Sequence, residues 1–259
     1  ILDSVIKEEN IDVIFHFAAL WLLHCQEFPK TAFEVNIKGT FNILEACRNN
    51  KVKKLIFSSS ASVYGDNQYD LIDESHPQHS KNFYGATKIS CEAMIRAYHH
   101  KYNMNIIGLR YMNVYGPRQD YKGAYIAVIM KMLDSIDNNK GVTIFGNGDE
   151  SYDFVSVKDC ANSNFKALIS SVPFGFFNIG SGIKTSLKKL AEILIDLKKV
   201  NTKISYKKDF DKTLVKNRVA DISLAKKYLK YSPKVKLEEG LKELIKWRDE
   251  DKNNLQFKK

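Results

Sequence analysis

Tyr84-Gly-Ala-Thr-Lys88 sets a phenol and an ammonium four residues apart. On a helix that separation puts both groups on one face. A tyrosine titrates near pH ~10 in water, and a neighbouring cation stabilises its phenolate, so such a pair could work as a general base. A packed ring beside a surface lysine fits the same spacing. A second group lies upstream in Ser58-Ser-Ser-Ala-Ser62, where hydroxyls crowd the end of the apolar run Leu55-Ile-Phe57. Open α/β sheets bind ligands beyond the carboxyl ends of their strands, so a substrate hydroxyl could meet a serine and the tyrosine there. Capping or turn roles would also account for the serines.

The elements that would position these groups follow from hydrophobic period. Residues 11–19 form a short, nearly continuous apolar run, as expected of a parallel strand covered on both faces. Residues 29–49 place Phe33, Ile37, Phe41, Leu44 and Ala46 at helical spacing before a second run at 54–58, which makes a β-α-β unit. A helix over 83–102, a strand over 105–111 and a strand over 176–179 continue the alternation, which predicts a parallel α/β sheet. Residues 117–150 depart from it, with a helix expected over 124–136 and a turn at Gly146-Asn-Gly148. From Ser181 the chain turns helical and lysine-rich, with helices expected over 187–199 and 237–249. The organisation expected is a main domain of residues 1–116 and 151–180, and a smaller lobe of 117–150 and 181–259. A cleft should lie between them.

Composition narrows the function classes. The 259 residues are 44% hydrophobic and 27% charged, enough for a real core and incompatible with disorder. No run approaches the roughly 18 apolar residues of a membrane span, and the start of the chain lacks a signal-peptide layout, so a cytoplasmic protein without membrane partners is expected. Cys25, Cys47, Cys91 and Cys160 are widely spaced and form no metal-binding pattern, so they should be reduced and buried, with no metal site. The formal charge of +10 raises the question of nucleic acid. Only six of the 40 basic residues are arginine, and the lysines are interspersed with acids, so solvated surfaces explain the charge and no nucleic-acid partner is expected. Residues 201–259 carry 17 Lys/Arg against 9 Asp/Glu, an excess that could favour a small anionic ligand.

Six blocks in order carry a resemblance across almost the whole chain. They are Phe15-His-Phe-Ala-Ala-Leu20, Val35-Asn-Ile-Lys-Gly-Thr40, Phe57-Ser-Ser-Ser-Ala-Ser-Val-Tyr-Gly65, Tyr84-x-x-x-Lys88, Leu109-Arg-Tyr-Met-Asn-Val-Tyr-Gly-Pro-Arg118 and Asp153-Phe-Val-Ser-Val-Lys-Asp159. Together they resemble the extended short-chain dehydrogenase/reductases, within them the nucleotide-sugar epimerases and dehydratases, and most of all UDP-sugar 4-epimerases. The resemblance implies a Rossmann-like domain, bound NAD, a nucleotide-sugar substrate and a homodimer. It makes Tyr84 the acid/base, Lys88 the residue that depresses its pKa and holds the cofactor ribose, and Ser60 the hydroxyl on the reacting sugar oxygen, with Ser62 a further candidate. Phe17, Ala18, Ala19, Asn36 and Ser58 would border or hold the dinucleotide. Asn113 would meet the substrate diphosphate, and Thr143 and Phe145 the nucleotide base.

Three departures from that pattern bear on function. The Gly-rich turn that receives the cofactor pyrophosphate is absent, and the chain opens at what resembles the fourth strand of the fold, so the resemblance implies an N-terminally truncated sheet lacking on the order of 60 residues. This chain alone would then hold NAD poorly. Ala61 and Ser62 stand where 4,6-dehydratases carry an Asp-Glu pair, which argues for epimerisation over elimination. Tyr152 stands where relatives place an arginine on the diphosphate, and Arg218 could supply that cation or serve in a surface ion pair.

Overall fold

Four parallel strands form the centre of the computed structural model, which describes residues 1–122, 127–208 and 217–256. The chain starts with α1 (Leu2–Glu8), β1 (Val13–His16), α2 (Leu22–Glu27) and α3 (Pro29–Ala32), which runs through a π-helical turn (Phe33–Lys38) into α4 (Gly39–Asn49). Then come β2 (Lys54–Ser60), α5 (Phe83–Tyr102), β3 (Ile106–Tyr111) and β4 (Asn113–Tyr115). The next stretch holds α6 (Val128–Asp137), β5 (Val142–Phe145), β6 (Ser151–Tyr152), β7 (Phe154–Ser156), α7 (Val157–Ile169) and β8 (Phe174–Ile179). Last are β9 (Thr185–Ser186), α8 (Leu187–Lys198), β10 (Ile204–Lys207) and α9 (Leu237–Gln256).

The central sheet has the order β1-β2-β3-β8, all parallel, and both of its faces are covered. Successive side chains of β2 therefore enter different cores. Leu55 and Phe57 pack with Leu44, Cys47, Cys91 and Ile95 from α4 and α5. Ile56 packs on the opposite face with Ile107, Leu109, Ala167 and Phe177. A third core joins α6, β5, α8 and α9 through Leu133, Ile144, Leu190, Leu194, Leu241 and Leu244.

Several expectations shift. The run at 11–19 pairs only over Val13–His16, and β1 pairs with β2 alone among the described residues, which leaves its other side an edge. Along the helical stretch 29–49, Leu44 and Ala46 are buried while Phe33 and Phe41 stand half in solvent. The helix expected over 124–136 begins at Val128, and residues 124–126 lie outside the described residues. Ala220, Ile222, Ala225, Leu229 and Tyr231 pack in the sheet core, not with α8 and α9. They are held there because Tyr231 Oη donates to Gly180 O at 2.9 Å and Ile72 bridges Ala220. All four cysteines are free and buried, and no described helix is long and apolar enough to cross a membrane.

His16, buried on β1, gives the fold a pH dependence. The Thr40 hydroxyl donates to Asn36 O at 2.6 Å, so its oxygen accepts from His16 Nε2 at 2.9 Å and the ring proton sits on Nε2. Burial, helped by the Lys88 charge, lowers the His16 pKa to about 4. The unfolded chain takes up this proton near the ordinary value of about 6.5, so stability is full above that pH and falls as pH drops from 6.5 towards 4. The whole effect is on the order of 3 kcal/mol. Thermal unfolding across pH 4–7 should show this slope, and His16→Phe should flatten it; equal slopes in both proteins would exclude His16 as the cause.

Candidate active site

The carboxyl ends of β2 and β3 open into a cavity of about 420 Å³. Ser58, Ser59, Ser60 and Tyr84 form one wall, and Tyr111, Met112, Asn113, Val114, Gln119, Val128 and Phe154 are among those facing it. The register Ser58↔Leu109 and Ser60↔Tyr111 puts the serines and the Tyr111–Asn113 segment side by side. Helix α5 delivers Tyr84 in its first turn because Asn82 caps it, its side-chain oxygen accepting from Gly85 N at 2.8 Å. Gly85 is required there: a Cβ would lie 2.4 Å from Ser62 O and 1.9 Å from Ser80 Oγ. This close approach presses Tyr84 against the serine turn.

Lys88 lies one turn further along α5 and is buried. Its Nζ donates to Ser58 O at 2.6 Å, lies 4.9 Å from the Phe57 ring centre and 5.7 Å from that of Tyr84. Burial lowers the Lys88 pKa to about 8. Burial pushes the Tyr84 phenol up to about 12, and a hydrogen bond with Ser60 pulls the other way. The ammonium is held beside the Tyr84 ring by its bond to a backbone carbonyl. Ser60 Oγ accepts from Ser62 N at 3.1 Å, capping a short 3₁₀ turn at Ala61–Val63, and its hydroxyl also bonds the Tyr84 phenol. Ser62 is buried and contributes this backbone amide; its side chain is not among the cavity's walls.

The other expected residues surround this centre at different distances. Asn113 lines the cavity, its Nδ2 donating to Asp153 O at 3.2 Å. Phe17 and Ala18 are exposed just past β1, with the Phe17 ring stacked on Phe15 at 6.1 Å, and Ala19 is half-buried. Asn36 does not line this cavity. Its Oδ1 accepts from Leu20 N at 2.7 Å, and its Nδ2 donates to Leu20 O at 3.0 Å and Thr87 Oγ1 at 3.0 Å. It therefore ties the loop after β1 to α5, in a π-turn that aims it inward. Thr143 bonds Ser205 across the β5/β10 pair at 3.2 Å, and Phe145 is 56% exposed; neither lines the cavity. Tyr152 bridges Arg218 in parallel, beside Phe154.

Gln119 was not read from the sequence as part of the site, yet it lines the cavity, and its Oε1 is enclosed with no hydrogen-bond partner among the described residues. Tyr111 and Met112 could have been found by applying the strand-end rule to β3 as to β2. Gln119 carries no such signal, since it is aimed by the turn through Gly116 (φ 149°) and Arg118 (φ 71°). The two acids of the block 153–159 are clamps. Asp153 accepts from Ser181 N and Oγ and from Gly182 N at 2.6–2.9 Å, while Asp159 accepts from Lys234 N and Val235 N.

A hydroxyl and a partly buried phenol lining a partly apolar cavity, with a buried ammonium one turn behind, can exchange a proton with an alcohol oxygen. The profile of the NAD dependent epimerase/dehydratase family matches residues 1–180. A putative UDP-glucose 4-epimerase of Methanocaldococcus jannaschii is 34% identical over 255 residues, 98% of this chain and 81% of that protein. The structure of a UDP-N-acetylglucosamine 4-epimerase from Methanobrevibacter ruminantium M1 in complex with UDP-N-acetylmuramic acid is 34% identical, with a TM-score of 0.91 over 96% of this chain and 80% of that one. That of a UDP-glucuronic acid 4-epimerase from Bacillus cereus, in complex with UDP-glucuronic acid and NAD, is 29% identical, with a TM-score of 0.86 over 96% and 78%.

Proposed function

Because the chain belongs to the NAD-dependent epimerase/dehydratase family, we propose that it interconverts the C4 epimers of a UDP-sugar through a 4-keto sugar, with NAD as cofactor. The observation that carries the reading is the convergence of Ser60 and Tyr84 on one cavity, backed by Lys88 and flanked by Asn113. The residues present fit the nicotinamide-ribose end of the cofactor. Lys88 Nζ makes one hydrogen bond and keeps two donors beside Tyr84, enough for ribose hydroxyls, and Phe17 to Ala19 offer an apolar shelf past β1. The 259 residues contain no G-x-x-G-x-x-G turn for the pyrophosphate, so assays supply NAD in excess.

Bound NAD would exchange hydride with sugar C4, and its oxidised ring would bring the positive charge that the Tyr84 phenolate lacks in the free protein. Ser60 donates to the sugar O4 while its oxygen keeps its bond from Ser62 N. Tyr84 takes the proton of the 4-hydroxyl on oxidation and returns it on reduction. Between these steps the keto sugar must turn over about its diphosphate link. Met112, Val128 and Phe154 give it apolar walls that impose no hydrogen-bond pattern on either face. Asn113 holds the diphosphate, Thr143 and Phe145 the base, and Asn36 acts indirectly by fixing Leu20 and Thr87. Elimination would need an acid/base pair beside Ser60, where buried Ala61 and Ser62 stand.

Half-exposed Phe33 and Phe41 on the α3–α4 face support a homodimer, and free thiols accord with a cytoplasmic setting. Incubation with UDP-glucose, UDP-glucuronate and their N-acetylated analogues should convert at least one to a product of unchanged mass. Loss of water or carbon dioxide would assign a different reaction.

A further inference from the structure

Arg218 is set apart from the other arginines by what it lacks. Arg48, Arg96, Arg110 and Arg248 each pair with a carboxylate, and Arg118 stands in solvent. Arg218 is partly buried, its Nε is enclosed without a hydrogen-bond partner, and no carboxylate among the described residues lies within ion-pair distance. Asp66, the acid that acts on it at longer range, is paired with Lys81. Burial without a counter-charge brings the Arg218 pKa down to about 10. A guanidinium held this way is unfavourable in the free protein, and an arriving anion offsets that.

The backbone fixes where it stands. Arg218 N donates to Ser151 O and Asp153 N donates to Arg218 O, both at 2.9 Å, so Arg218 and Tyr152 are bridge partners. The Tyr152 ring meets Phe154 edge-on at 6.3 Å, and Phe154 lines the cavity wall next to Asn113, its register partner. Arg218 is thus one bridged pair beyond the cavity, beside a phenol that can neither carry a positive charge nor offer a fork of donors.

We infer that Arg218 receives an anionic group of the bound nucleotide sugar, supplying from the bridged segment the cation that Tyr152 cannot. This rests on the nucleotide-sugar reading above. The shared chemistry is an oxyanion on a guanidinium, from the substrate's diphosphate or from a carboxylate on its sugar.

Calorimetric binding of UDP, UDP-glucose and UDP-glucuronate in the presence of NAD separates these sources. For a diphosphate contact, Arg218→Met should weaken all three by at least about 10-fold; for a sugar carboxylate, UDP-glucuronate alone. Arg218→Lys, which keeps the charge and loses the fork, should fall between, and it decides the matter alone if Arg218→Met does not fold. Tyr84→Phe should bind all three like the parent while losing turnover. Unchanged affinity for all three in a folded Arg218 variant overturns the inference, as does a parent that binds none of them. A parent that binds UDP through Arg218 yet converts no UDP-sugar overturns the epimerase reading and leaves the anion site standing.

Discussion

Replacing Tyr84 with phenylalanine should lower epimerase turnover by at least about 100-fold, the scale of lost acid/base catalysis, while leaving the fold intact. The substitution removes one oxygen, and the ring stays wedged between Lys88 and the serine turn. Unfolding temperature and cofactor binding should match the parent's. Burial keeps the phenol protonated above neutrality in the free protein, so its titration should move to lower pH once cofactor is bound. Activity of Tyr84→Phe within a few-fold of the parent would assign the base to another group.

The largest effect on stability should come from Glu92, two turns along α5 from Tyr84. Glu92 and Arg110 are both fully buried and joined twice, Arg110 Nε to Oε1 at 2.9 Å and Nη2 to Oε2 at 2.6 Å. Ser59 Oγ and Gln78 Nε2 also donate to the carboxylate, while Arg110 reaches Tyr64 Oη, which in turn donates to Asn178 Oδ1. The pair thereby fastens β2, β3, β8 and α5 directly beneath the serine wall. Glu92→Ala strands the guanidinium in the core and should cost about 3–5 kcal/mol in chemical denaturation. The double change Glu92→Leu with Arg110→Met should recover most of that, because it removes both charges and fills their space. A loss below about 1 kcal/mol in the single variant would show that water or another acid replaces Glu92.

Sequence spacing alone supplied the parallel sheet and the helix bearing Tyr84 and Lys88, because period and capping are local. Asn82, Gly85 and Asn103 mark the start, close approach and left-handed end of α5 in adjacent letters. Glu92 is legible as a residue of the Tyr84 face, but its partner on β3 is not, since that pairing depends on which strand lies beneath the helix. The same holds for Asn36. The resemblance set Asn36 beside the dinucleotide, and its bonds to Leu20 and Thr87 exist only after α5 packs beside the π-turn. Gln119 and the unpaired Arg218 are defined by missing partners, and a missing partner has no sequence signature. The i, i+4 spacing likewise fixes a shared face for Tyr84 and Lys88 but not where the lysine nitrogen ends, which its bond to Ser58 O on β2 decides.

The central claim is reversible oxidation at sugar C4, with the hydrogen kept inside the site while the sugar turns over. Incubating the protein with NAD and a UDP-sugar substrate in deuterium oxide, and following the sugar by proton NMR, tests it most directly. The account predicts that the C4 epimer accumulates with its C4 proton retained and the product mass unchanged. Deuterium at C4 would mean that the carbon-bound hydrogen leaves as a proton to solvent, and that result would contradict the mechanism assigned to Ser60, Tyr84 and Lys88.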